Sequence, residues 1–233
     1  VARGEIQAQR PLLLWFAIRA IVEASVLAEQ DILLPQRSEL MRRLLAIAVD
    51  LADEAGLPDP SEFAPRCLAA GPGRPERRAA LTSLTLRLRM LQAAAATGRV
   101  GPGELDAASR LGRIDLERCF APLFAPADRE FLSATAAAVH LTRARIMLAW
   151  SATGRIDRRI TDEEARTLVR EARDNAIAAV TLLEEITRRV VAPLFPQGGR
   201  ELVPLSTRLR RSAYEARLSE ARATLQQAVA LAQ

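Results

Sequence analysis

Apolar side chains recur at every third or fourth position through most of this chain, in long stretches separated by Gly and Pro. Leu81, Leu84, Leu88 and Leu91 show the pattern within one stretch. This spacing places the apolar side chains on one face of an α-helix, and that face has to be buried against another helix. Aromatic residues make up only 4% of the chain, so Ala and Leu supply most of the apolar surface. The pattern therefore predicts an all-α protein that folds as a helical bundle.

Helix-ending residues divide the chain into about five long and three short helices. Pro favours a first helical turn and Gly favours a helix end, so Pro35, Gly56, Pro75 and Gly98 mark distinct boundaries. The expected ranges are 11–30, 35–56, 61–70, 75–97, 104–111, 115–120, 127–153, 161–191 and 206–231. Long helices that are joined by short connections should lie antiparallel to each other.

Three polar residues are expected to begin helices. Thr161 and Glu164 have the spacing of a capping box, in which each side chain accepts a hydrogen bond from the backbone N–H of the other residue. Ser61 and Ser206 each follow a Pro and precede a helical pattern, so we expect them to be N-caps.

Two apolar patterns concern single elements. The alternation of apolar and polar residues over 84–90 is typical of a strand, but the pattern continues into Ala93–Ala96, so its length favours a helix. In the helix at 35–56, four residues have the spacing of a buried seam: Leu40, Leu44, Ile47 and Leu51.

The segment 98–126 is the richest in Gly and Pro. It predicts a connector with short helices, and a hinge, between an N-terminal sub-bundle at 1–97 and a C-terminal three-helix sub-bundle at 127–233. A single domain is the alternative.

Positive charge is concentrated in two segments. All 33 basic residues are Arg, and the net charge of the chain is only +5. Residues 66–89 contain six Arg and one acidic residue, and residues 188–222 contain eight Arg and three acidic residues, so each segment also carries +5. The planar guanidinium binds phosphate and carboxylate through two parallel hydrogen bonds.

These charges predict a non-enzymatic binding or assembly subunit that presents arginines to a polyanion, such as the phosphate backbone of nucleic acid, or to an acidic protein partner. Because few aromatic residues lie near these arginines, contacts with nucleic acid should be to phosphate and should weaken with salt. The candidate residues are Arg74, Arg77, Arg78, Arg87, Arg89, Arg208, Arg210 and Arg211.

Two other functions have weaker sequence support. An apolar ligand pocket could form around Trp15, Phe16 and Trp150. Asp50 and Asp53 lie three residues apart on one helix face, and such a pair can hold Mg²⁺ together with substrate phosphate in a phosphate-processing enzyme.

The remaining residues predict neither a cofactor nor a catalytic site. Cys67 and Cys119 are expected to be buried thiols outside any disulfide framework, and His140 is expected to be structural or exposed. No apolar stretch reaches the ~20 residues that span a bilayer. We therefore expect a cytoplasmic protein, and its helical seams are also compatible with a homo-oligomer.

Overall fold

The computed structural model describes residues 35–54, 56–69, 71–125, 129–191 and 205–232, and within them it describes the side chains outside 35–42, 68–69, 190–191 and 205–211. This part of the chain contains eight α-helices and no strand, which confirms the all-α prediction. The expected helix at 11–30 lies outside the described residues. The chain forms two compact units, Val1–Leu123 and Phe124–Gln233.

Unit 1 contains five described helices, and the third of them lies at its centre. The helices are α1 (Pro35–Glu54), α2 (Pro60–Ala69), α3 (Arg74–Thr97), α4 (Pro102–Leu111) and α5 (Leu116–Phe120), followed by a 3₁₀ turn at Ala121–Leu123. Helix α3 contacts each of the other elements. Its residues 84–90 are helical, as their length predicted, and Leu84, Leu86 and Leu88 are all buried. The two short helices of the predicted connector pack within this unit.

The buried face of α1 differs from the predicted seam. Leu45, Ala48 and Ala52 pack with Leu86 of α3 and are almost completely buried. Two members of the predicted seam, Leu44 and Ile47, are instead 37% and 53% exposed. The small Ala side chains allow α1 to approach α3 closely, and this turns the neighbouring stripe of larger residues outward.

Helix ends in unit 1 follow local rules with one correction. Gly56 and Gly98 end α1 and α3 with φ angles of +68° and +67°, a conformation that costs Gly little because it has no Cβ. Helix α2 begins at Pro60, so Ser61 is already inside it. Its cap is Asp59, whose Oδ1 accepts hydrogen bonds from the Ser61 N–H at 2.8 Å and from the Ser61 hydroxyl at 2.6 Å.

Unit 2 contains α6 (Glu130–Ile156), α7 (Asp162–Ile186) and α8 (Leu205–Leu231). Helix α7 continues into a π-helical turn at Thr187–Val191. The extensive contact between α6 and α7 indicates a helical hairpin. The buried apolar residues of α7 alternate spacings of four and three: Ala165, Val169, Ala172, Ala176, Ala179, Leu183 and Ile186. A matching buried row on α6 comprises Ala134, Ala137, Leu141, Ala144, Leu148 and Ser151. Such spacing is typical of coiled-coil packing, and the many Ala residues permit close contact.

Helix α8 completes the core of unit 2. Leu218 and Ala221 pack in one cluster with Leu141 and Leu183. Two ion pairs connect the exposed edges of these helices: Arg145 of α6 with Glu220 of α8, and Arg222 of α8 with Glu184 of α7. Because α8 begins at Leu205, Ser206 lies inside the helix and is not its N-cap.

The connection between α6 and α7 is tightly built. The predicted capping box of Thr161 and Glu164 is present, with Thr161 N–H donating to the Glu164 carboxylate at 2.7 Å. A Cβ at Gly154 would lie 3.1 Å from the Trp150 ring and 3.2 Å from Ile160, so Gly permits this close approach. Arg158 has φ +56°, the only positive φ of a non-glycine residue in the described part of the chain.

Candidate arginine surface

The start of α3 lies against the end of α5, and Arg77 joins the two. Its Nε donates to the Pro72 carbonyl at 2.9 Å, while its Nη1 donates to the carbonyls of Arg118, at 3.4 Å, and Cys119. The carbonyl end of a helix carries partial negative charge, so a cation is favourable there. Arg77 is only 8% exposed. It was expected on the surface, but the structure places it inside unit 1.

Three exposed arginines belong to the two helices that form this contact, and we call Arg74, Arg78 and Arg118 the junction arginines. Arg74 lies one helical turn before Arg78, and its Nη2 donates to the Leu123 carbonyl at 3.2 Å. Arg118 lies in α5, and its carbonyl is one that Arg77 contacts. Among the residues that the structure describes, no carboxylate pairs with the side chain of a junction arginine. These charges remain available at the surface of unit 1.

Arg87 is engaged by acidic residues instead. Its Nη2 lies 2.6 Å from Asp53 Oδ1 and 3.6 Å from Asp59 Oδ2, so it connects α1 and the cap of α2 to α3.

The ion pair between Arg87 and Asp53 affects the hypothesis that Asp50 and Asp53 bind magnesium. Asp53 already has a cationic partner, and Asp50 is exposed. In the described ranges, no group of three Asp, Glu, His or Cys side chains is placed to hold a metal ion.

The pKa of Asp59 reflects these contacts. Burial raises this pKa. Hydrogen bonds from the Ser61 hydroxyl and N–H, together with the charges of Arg87 and Arg110, lower it by more than burial raises it. The net effect is a pKa below the ordinary value of an aspartate. Asp59 is therefore held as a carboxylate by its role in the fold.

The other predicted arginines are placed less completely. Arg89 is half-buried, and its Nη1 donates to the Gln92 side chain at 3.2 Å. Arg208, Arg210 and Arg211 belong to the first two turns of α8, and their side chains lie outside the described residues. The two basic segments of the sequence thus fall in different units of the fold.

Both cysteines are buried, as the sequence predicted. They lie next to the junction: Arg77 Nη1 is 3.9 Å from Cys67 Sγ and also donates to the Cys119 carbonyl. Burial and a hydrogen bond with Cys67 raise the pKa of the Cys119 thiol to about 12. The sequence gives no sign of this proximity, because the two residues are far apart in the chain.

His140 has a structural partner. Its Nδ1 lies 3.0 Å from Asn175 Oδ1, and the Asn175 amide donates to the Glu171 carbonyl at 2.8 Å. Since the Asn175 oxygen is an acceptor, His140 Nδ1 carries the hydrogen. The ring therefore helps to join α6 to α7.

Of the three residues predicted to form an apolar pocket, the structure describes one. Trp150 is 5% exposed and packs near Gly154 at the end of the hairpin. Trp15 and Phe16 lie outside the described residues.

Arg118 is the functional candidate that sequence reasoning missed. It lies outside the two basic segments, and the docking of α5 against the start of α3 brings its backbone carbonyl to Arg77. The sequence did predict a helix that starts at Asp115 and contains Arg118. Asp115 is the N-cap of that helix, and its side chain accepts a hydrogen bond from the Arg118 N–H at 3.0 Å.

None of the helices in the described ranges combines the length and apolar character that crossing a membrane requires. No known protein family matches this chain, and neither a curated protein nor a solved structure is significantly similar to it.

Proposed function

We propose that this chain is a non-enzymatic helical binding or assembly subunit whose junction arginines bind the phosphate backbone of nucleic acid. One observation carries the proposal: Arg74, Arg78 and Arg118 are exposed around one helix junction, and no described carboxylate pairs with them. Two exposed arginines of unit 2, Arg166 and Arg170, instead pair with Glu163.

The surrounding structure supports an electrostatic mode of binding. The buried Arg77 fixes the backbone from which Arg74 and Arg118 project, and its own positive charge adds to the local potential. Guanidinium groups bind phosphate oxygens through paired N–H donors. The junction arginines have no aromatic partner described for base stacking, so we expect binding to depend on phosphate contacts and to be weakly sequence-specific.

The test compares two triple variants that lose the same charge. Arg74→Gln, Arg78→Gln and Arg118→Gln remove the junction arginines. Arg155→Gln, Arg166→Gln and Arg170→Gln remove three exposed arginines of unit 2 that are paired with Asp162 or Glu163. Binding to a labelled DNA duplex is measured by fluorescence anisotropy over a series of salt concentrations.

We expect the junction variant to bind more weakly and its plot of log affinity against log salt to be shallower, by about 0.9 for each phosphate that the variant no longer binds. The control should keep the slope of the unmodified protein. Equal weakening in both variants would mean that only net charge matters, and unchanged binding in both would reject the surface; either result contradicts the proposal.

The arginines at the start of α8 allow a second, independent experiment. If Arg208, Arg210 and Arg211 form a second contact, then replacing all three by Glu should weaken the same complex further.

The acidic-partner alternative makes a different prediction. Capture of an acidic protein by the unmodified chain, with no binding of DNA at low salt, would favour that alternative over nucleic acid. A raised ratio of absorbance at 260 nm to 280 nm in the purified protein, removed by high salt, would support the proposal directly.

A further inference from the structure

Helices α2 and α5 meet through a pair of aromatic rings beside a pair of thiols. The rings of Phe63 and Phe120 stack with their centroids 6.0 Å apart and their planes within 12° of parallel. Cys67 lies one turn after Phe63 in α2, and Cys119 directly precedes Phe120 in α5. Cys67 is 9% exposed and Cys119 is 1% exposed. The stacked rings therefore hold the two cysteines at one buried contact between helices.

A single atom of Arg77 connects these cysteines. Its Nη1 lies 3.9 Å from Cys67 Sγ and donates to the backbone carbonyl of Cys119. Both cysteines therefore lie within hydrogen-bond reach of one guanidinium nitrogen. A guanidinium beside a sulfur stabilises the negative charge that develops when a thiol reacts as a nucleophile. Among the described residues, only this contact combines two thiols with a buried cation.

We propose that Cys67 and Cys119 form a reversible disulfide when the protein meets hydrogen peroxide, and that this bond fastens α2 to α5. This inference goes beyond the proposed binding function and does not depend on it. It also revises the expectation that the two cysteines act only as buried apolar groups.

The reaction proceeds in two balanced steps. Cys67 Sγ, next to Arg77, attacks one peroxide oxygen; the S–O bond forms, the O–O bond breaks, and the departing hydroxide leaves as water with the thiol proton. Cys119 Sγ then attacks the oxidised sulfur; the S–S bond forms, the S–O bond breaks, and a second water leaves with the Cys119 proton. Cys67 is the first nucleophile because it is the more exposed thiol, and burial keeps Cys119 protonated until it resolves the intermediate.

The test treats the folded, reduced protein with hydrogen peroxide and then measures intact mass and peptides without reduction. We expect the mass to decrease by two hydrogens and one peptide pair to contain Cys67 joined to Cys119. Because the bond closes a long loop of the chain, the urea midpoint of unfolding should rise and should return to its initial value after dithiothreitol. The Cys67→Ala and Cys119→Ala variants should show neither change.

Three outcomes would overturn the inference. Two thiols that still react with maleimide after peroxide treatment and denaturation would show that no bond forms. A gain of oxygen mass would show that the thiols do not resolve to a disulfide, and covalent dimers would show that each thiol pairs with another copy of the chain. If either Ala variant fails to fold, the cross-linked peptide of the unmodified protein decides the question alone.

Discussion

At the scale of single residues, the same side chain has different roles at neighbouring positions. Arg77 is buried with its donors on three carbonyl oxygens, while Arg78 is exposed. The sequence Glu-Arg-Arg does not separate the two, because the difference depends on where α5 docks. The charge count along the chain consequently overestimates the free charge of 66–89, because Arg77 is buried and Arg87 pairs with Asp53, which lies outside that segment.

Arg77→Ala should destabilise the fold strongly. The substitution removes a buried cation and leaves the carbonyls of Pro72, Arg118 and Cys119 with fewer donors. We expect the free energy of unfolding to fall by about 3 kcal/mol, measured by urea denaturation. The adjacent Arg78→Ala is the matched control and should change it by about 0.5 kcal/mol or less. Equal losses in the two variants would contradict the structural role of Arg77.

At the scale of helices, local signals predicted most boundaries. Gly56, Gly98 and the Thr161 capping box act within one or two turns of the chain, and the structure confirms all three. The buried face of α1 was not predictable in the same way, because that helix has two apolar stripes. Larger side chains favoured the stripe containing Ile47, whereas close contact with α3 selected the stripe containing Ala48.

The cap of α2 gives a prediction about pH. Because the pKa of Asp59 is lower in the folded chain than in the unfolded chain, its carboxylate stabilises the fold above the unfolded pKa. That contribution is lost as the pH falls through the folded pKa. Asn can still cap the helix, but it accepts neutral instead of charge-assisted hydrogen bonds. We therefore expect Asp59→Asn to reduce the free energy of unfolding by about 1 kcal/mol at neutral pH and to have little effect in strong acid.

Urea denaturation over a pH series measures this difference. Asp157→Asn is a suitable control, because Asp157 lies in unit 2 and forms an exposed ion pair with Arg159 at 3.9 Å. Its effect should be small at every pH. A difference between Asp59→Asn and the unmodified protein that stays constant down to strong acid would contradict the prediction.

At the scale of the whole molecule, the chain divides after Leu123, and each unit has its own core. The all-α class followed from periodicity alone, since that signal is repeated many times along the chain. The arginine surface could not be predicted from periodicity, because it combines residues of α3 and α5, and these helices meet only through tertiary packing.

Unit 2 should fold without unit 1. Its hairpin of α6 and α7 and the cluster around Leu218 form a core within residues 124–233. We expect this fragment to show a helical circular-dichroism spectrum and one cooperative transition in urea. A gradual loss of helical signal without a transition would show that the unit depends on the rest of the chain.

The alanine rows of α6 and α7 have a consequence for sequence change. An alanine has no side-chain torsion that can rotate to make room, so a larger residue at Ala172 or Ala176 has to be accommodated by separating the two backbones. The outer face of α7 carries no such restriction. We therefore expect distant relatives to differ freely on that outer face, while they retain small residues at the interface between α6 and α7.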